Sequence, residues 1–209
     1  MVQKSRRWVC KKLIFKKQII METKVRKQEV AKGIVAAKSD ASEDLRGLFE
    51  GGLKDLYWAE KTLSKSLPRM VENASSPELV RTLKNQLTEI DQHVSRLEQV
   101  FKTAGIKPTA KKCDAMEGLL KESESVMKGT KMGVVRDAGI IAAGQKMKHY
   151  EIATYGTLHA FAQTLGENQA ANLLAMTLEE EKKTDAALTG IAMSAINQSA
   201  ATAKVHNRF

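Results

Sequence analysis

Cysteine, proline and aromatic residues are scarce in this chain, and each scarcity excludes something. Its 209 residues hold two cysteines, three prolines and 5% Phe, Trp and Tyr. Two thiols, Cys10 and Cys113, cannot build a disulfide framework and fit a reducing compartment, so a cytoplasmic location is expected. Three prolines leave long helices uninterrupted. No apolar run approaches the roughly 18–20 residues that a spanning helix needs. No strand alternation or short-period repeat occurs, and there is no Gly-rich phosphate loop, no CxxC, and no Ser or Cys nucleophile with a partner base. Nucleotide-loop, dithiol and nucleophilic chemistry are therefore not indicated.

What the chain has is helix-forming composition, rich in Ala, Leu, Lys, Glu and Met, with 43% apolar and 28% charged residues. The net charge of +10 is concentrated at one end. Residues 1–38 carry twelve Lys/Arg against two acids, and the rest balances at 22 of each sign. Residues 1–20 interleave basic residues with Trp8, Leu13, Ile14 and Phe15, a pattern suited to a membrane surface or nucleic acid. Translation starting at Met21 would instead make this stretch a start-site artefact or an inert tail. The expected organisation is a basic tail and linker over 1–41, a helical domain over 42–198 and a frayed tail over 199–209.

Hydrophobic spacing predicts four long helices and one short one. The first runs from about 42 to 73, with Leu45, Phe49, Gly52, Leu56, Glu60, Leu63, Leu67 and Met70 on one side. Ser75-Ser76-Pro77-Glu78 restarts the chain as a second helix over about 77–104, since serine caps and proline suits the first helical position. Its seam is Leu79, Leu83, Gln86, Ile90, His93, Leu97, Val100 and Ala104. A crossover over 105–112 leads to a short helix at about 113–128. The third long helix, about 133–165, has the seam Ile140, Gly144, Met147, Glu151, Thr154, Leu158, Phe161 and Leu165. The fourth, about 167–198, steps through Leu174, Thr177, Glu181, Thr184 and Leu188. Two tight turns and one long crossover describe an all-α, ferritin-like four-helix bundle.

Each long helix places a metal-capable side chain near its middle: Glu60, His93, Glu151 and Glu181. Glu89 stands four residues before His93, and Asp185 four after Glu181, so each pair shares a helical face. A buried carboxylate requires a counter-charge, a proton or a metal. A cage of carboxylates and imidazole suits iron or manganese. Taken singly, each residue has a plainer role. A seam glutamate can pair with lysine, His93 can be a hydrogen-bonded core histidine, Glu89 can be surface, and Asp185 can pair with Lys182. Glu180 is a flanking acid, and Tyr57 and Tyr150 either hydrogen-bond the carboxylates from behind or simply pack. The coincidence across four helices carries the metal reading.

Several strings resemble the YciF-like ferritin-like proteins of bacteria: DLYWAEKTL at 55–63, SSPEL at 75–79, AMEGL at 115–119, VRDA at 135–138, HYEIATYGTL at 149–158 and LEEEKKTD at 178–185. The resemblance covers about residues 42–198. It implies a ferritin-like bundle, a di-iron-type site, a homodimer and an association with stress responses. Position by position it implies acids at Glu60, Glu89, Glu151 and within Glu179–Glu181, with His93 following Glu89. The chain departs from the broader superfamily, whose Glu-x-x-His motif is absent from both the second and the fourth helix.

Two functions are expected to compete. In the first, Glu60, Glu89, His93, Glu151 and Glu181 hold up to two Fe ions, or Mn, for oxygen or peroxide chemistry. In the second, the chain is a non-catalytic dimeric stress or scaffold protein whose basic arm binds nucleic acid or anionic membrane. Whether it is an enzyme stays open at this level.

Overall fold

The computed structural model describes residues 33–203, together with Gln18, residues 20–22 and Lys24. It separates into two units, Met1–Glu43 and Asp44–Phe209. In the first, the described segment from Gly33 onward has no long regular element, and Ala41 N donates to Lys38 O at 3.2 Å to close a turn. The basic arm expected over residues 1–20 falls largely outside the described residues, as do residues 204–209 of the expected tail.

The second unit contains α1 (Leu45–Asn73), α2 (Pro77–Thr103), α3 (Asp114–Gly129), α4 (Val134–Thr164), α5 (Asn168–Ile191) and α6 (Asn197–Thr202). A π-helical turn, Ala192–Ile196, joins α5 to α6. No strand occurs among the described residues. None of their helices is long and apolar enough to cross a membrane. α1 packs on α2 and α4, and α5 packs on α2 and α4, which makes the four-sided bundle; short α3 in the crossover covers α4 and α1.

Local chemistry sets the ends. α1 is capped by Asp44, two residues beyond the expected start at about 42, because the Asp44 carboxylate accepts from Gly47 N at 2.7 Å. Ser76 caps α2, with Pro77 at its first position as expected. Gly105 (φ 69°) and Gly166 (φ 75°) take the left-handed conformation that closes α2 and α4. There Ile106 N reaches back to Phe101 O at 2.8 Å and Glu167 N to Ala162 O at 2.9 Å. The last helix runs on to Thr202 rather than stopping near 198. The extra residue in the π turn rotates the helix so that Ile191, Ala192 and Ile196 all stay buried.

The most informative difference lies on α4. Beyond Glu151 the buried residues are Tyr155, Leu158 and Ala162, not Thr154, Phe161 and Leu165. The inward face is therefore Ile141, Gly144, Lys148, Glu151, Tyr155, Leu158 and Ala162. Ile140, Ala143 and Met147 are buried as well, in the apolar cluster that also holds Met116 and Met127 of α3. With two covered faces, the apolar residues of α4 do not single out the one that looks into the bundle.

Candidate metal centre

Midway along the bundle a charged layer separates two apolar clusters. On α1, Leu56 and Tyr57 belong to one cluster and Leu63 to the other, with Glu60 between them. His93 is similarly placed between Ile90 and Leu97, and Glu181 between Leu174 and Leu188. Glu60, His93, Glu151 and Glu181 are each at most 1% exposed. Three carboxylates and an imidazole are thus taken out of water together, at a cost of several kcal/mol per ion unless each finds a counter-charge.

The structure brings three of these side chains to one point. One donor atom each from Glu60, His93 and Glu181 lie within 4.8 Å of one another. His93 Nδ1 is 3.2 Å from Glu181 Oε1 and 3.6 Å from Glu60 Oε1. Tyr155 donates its hydroxyl proton to Glu60 Oε1 at 2.7 Å. Glu60 Oε2, Glu181 Oε1 and His93 Nδ1 have no hydrogen-bond partner, which is the state expected of donor atoms shaped around a cation. Glu151 lies on the other side of the layer, with the ammonium of Lys148 between it and Glu181. Lys148 Nζ is 2.7 Å from Glu151 Oε2 and 2.5 Å from Glu181 Oε2. The contact with Glu151 is an ion pair off the hydrogen-bond direction, and both Glu151 oxygens lack a hydrogen bond.

Behind the imidazole, His93 Nε2 meets Glu180 Oε2 at 3.0 Å. Arg96 grips that carboxylate with both terminal nitrogens, at 2.6 and 3.1 Å, and also donates to Thr177 Oγ1 at 2.5 Å. A carboxylate held against Nε2 fixes the orientation of the ring and turns Nδ1 toward Glu60 and Glu181.

The electrostatics follow from burial against charge. Burial opposes a charged His93, but the close Glu181 and Glu60 carboxylates outweigh it and raise its pKa to about 10. Burial likewise disfavours the Lys148 ammonium, yet the charges of Glu151, Glu181 and Glu60 hold it above its ordinary value. Glu151 is pushed well above the carboxylate range by burial, then by the charge of Glu181, against which Lys148 works. Glu181 is itself buried, but Lys148 and His93 hold it below its usual value. Glu180 is half-buried, and its pKa is lowered because Arg96 overrides the burial. A charged His93, the Lys148 ammonium and the raised pKa of Glu151 all lessen the negative charge of the layer.

The other residues singled out from the sequence lie elsewhere. Glu89 is half-buried at the α2–α5 border and accepts from Thr184 Oγ1 at 3.3 Å, outside the three-donor group. Asp185 faces the exposed His149 at 3.3 Å and Gln145 at 3.4 Å. Tyr57 donates to Glu98 at 2.6 Å, and Tyr150 to Asp55 at 3.2 Å while meeting Cys113 Sγ at 3.1 Å. Neither tyrosine reaches the central acids; Tyr155 does. Lys148, Tyr155, Arg96 and Thr177 also belong to the site and are not among the candidates drawn from the sequence. The signal for the first two was present, because steps of 3 and 4 from Gly144 through Glu151 land on both. Nothing comparable marks Arg96.

The family profile described as "Domain of unknown function (DUF892)" matches residues 44–201. Protein YciF of Escherichia coli K12 is 43% identical over 149 residues, 71% of this chain and 90% of that protein. The crystal structure of the E. coli stress protein YciF superposes with a TM-score of 0.72 at 41% identity, covering 75% of this chain and 99% of that one. YcfI of Rhodopseudomonas palustris, described as a putative structural protein, gives 0.71 at 38%, covering 73% and 98%. A Xanthomonas campestris protein, 18% identical with a TM-score of 0.61 over 78% of this chain and 99% of its own, shares the fold. The chain belongs to the DUF892 family, that of the YciF-like ferritin-like bundles.

Proposed function

We propose that this protein is a stress protein that holds one divalent transition-metal ion, iron or manganese, between Glu60, His93 and Glu181. One observation carries the reading: three buried, convergent donor atoms, each without a hydrogen-bond partner. Mixed carboxylate and imidazole donors suit Fe(II) and Mn(II). A bound ion of either kind would supply redox chemistry toward oxygen or peroxide.

The residues around it have assignable tasks. Tyr155 fixes Glu60 Oε1 and leaves Oε2 free. Glu180, clamped by Arg96, holds the His93 Nε2 proton and so presents Nδ1. Glu60, His93 and Glu181 are at most 1% exposed, so the packed bundle keeps bulk water away. Glu180 keeps about a third of its side chain exposed and links this interior to solvent.

The test is metal analysis of the full-length chain purified without chelator, with equilibrium dialysis of chelated protein against Mn(II) and, without air, Fe(II). About one ion per chain is expected, lost in Glu60→Ala and Glu181→Ala. Wild-type protein that takes up neither ion refutes the proposal. A second reading, a scaffold without metal, is favoured by Lys148, which already supplies one internal cation to the acids. In that case chelation leaves the melting temperature unchanged, whereas a bound ion raises it by mass action.

A further inference from the structure

Resting on the metal reading above, we propose that the Lys148 ammonium is a built-in second cation of the cage. It takes the place between Glu151 and Glu181 that a second metal ion would need, and so limits the centre to one ion.

The geometry gives Glu181 a bridging role. Its Oε2 lies 2.5 Å from Lys148 Nζ, while its Oε1 faces His93 and stays free. One carboxylate therefore serves two cation positions, one filled by the side chain and one offered to an ion. Lys148 is 1% exposed and is flanked by the fully buried Glu151. A lysine with its whole stem and head inside a bundle is rare unless its charge is required there. The two acids beside it supply that requirement.

Charge counting points the same way. Glu60, Glu151 and Glu181 bring three negative charges into a layer closed to water. With His93 neutral, as ligation through Nδ1 demands, Lys148 and one divalent ion bring three positive charges. The sum is zero. Two divalent ions with the ammonium still present would leave two positive charges in excess, which a buried site opposes strongly. A second ion therefore requires the ammonium to leave. The side chain works by occupancy and fixed charge, and this separates the role of Glu151 from that of Glu60. Glu151 holds the ammonium; Glu60 faces the ion.

The experiment counts Mn(II) per folded chain by elemental analysis and by spin resonance, in full-length wild type, Lys148→Met and Lys148→Gln. Circular dichroism confirms the fold of each variant. The expected counts are one ion in wild type and two in at least one lysine variant. Two ions in wild type overturn the proposal but leave metal binding standing. One ion with unchanged affinity in both lysine variants also overturns it. No ion in wild type refutes the metal reading; ion uptake in the lysine variants alone would then still support Lys148 as the occupying cation, and none in any protein would sink both ideas. Should both lysine variants fail to fold, Glu151→Gln and Glu60→Gln decide. Glu60→Gln is expected to weaken Mn(II) binding at least tenfold more than Glu151→Gln, and equal losses contradict the division of roles.

Discussion

Replacing Tyr155 by Phe removes a single oxygen from a well-packed core, and the structure says how much should follow. The ring is 1% exposed and its hydroxyl donates at 2.7 Å to Glu60 Oε1. Glu60 is fully buried, and its other oxygen has no hydrogen-bond partner. Without Tyr155, the nearest donor to Glu60 is His93 Nδ1 at 3.6 Å, beyond a good hydrogen bond. A hydrogen bond to a charged group contributes about 1.5–3 kcal/mol, and leaving a buried acceptor unpaired falls toward the upper end of that range. Tyr155→Phe should therefore destabilise the metal-free protein by roughly 2–3 kcal/mol, or about 4–12 °C for a domain of this size. Tyr57→Phe is the internal control. That hydroxyl reaches the exposed Glu98 at the rim, where a net loss of about 0.5–1.5 kcal/mol or less is expected. Thermal and urea melts followed by circular dichroism in excess chelator measure both. Equal losses in the two variants, or a Tyr155→Phe change within about 0.5 kcal/mol of zero, would show that the charged layer does not depend on this bond.

Three further outcomes follow from other parts of the bundle. Asp137 is buried and accepts from Ser75 N, Ser75 Oγ and Ser76 N at 2.8, 2.7 and 2.9 Å, tying the α1–α2 turn to the start of α4. Asp137→Ala should cost on the order of 3–5 kcal/mol in a urea melt, and a cost under about 1 kcal/mol would refute this role. A Cβ on Gly139 would sit 2.5 Å from Val126 Cγ1, so Gly139→Ala should destabilise by about 1–3 kcal/mol. Val126→Ala in the same chain should recover part of that loss, and purely additive losses would contradict the proposed contact. The Cys113 thiol is 1% exposed, and burial pushes its pKa up, so at pH 8 it should resist thiol reagents until the protein unfolds. Measured on Cys10→Ser protein, rapid labelling of native Cys113 would show that α3 opens readily.

Much of this architecture is legible in the residues because local and long-range signals agree. Ser76-Pro77, Gly105 and Gly166 punctuate the chain where the helices end, and single apolar stripes on α1 and α2 place Glu60 and His93 inward. Even the awkward Gly52 has its reason, since a Cβ there would come within 2.8 Å of Leu158 on the facing helix. α4 presents the opposite case. Because it is covered on two sides, Ile140–Met147 and Ile141–Lys148 are equally buried stripes. The apolar one attracts the eye, and lysine is discounted as a surface residue. That preference hides Lys148 and, seven residues on, Tyr155. The start of α1 is less legible for a simpler reason: both Ser42 and Asp44 have side chains able to cap a helix, and only the backbone path decides that Asp44 does.

The inward α4 stripe also explains why the site sits where the apolar clusters meet. Each of α1, α4 and α5 contributes one acid to the layer and α2 its imidazole, while α4 alone adds a cation three residues before its acid. A helix turn is the distance over which an ammonium can neutralise its own helix's carboxylate and still touch a neighbour's. Lys148 does both, to Glu151 and to Glu181. The bundle can therefore fold with Lys148 and a protonated His93 offsetting its buried acids from within. On the proposed reading, an ion between Glu60, His93 and Glu181 would displace the His93 proton rather than a side chain, and α4 need not move to admit it.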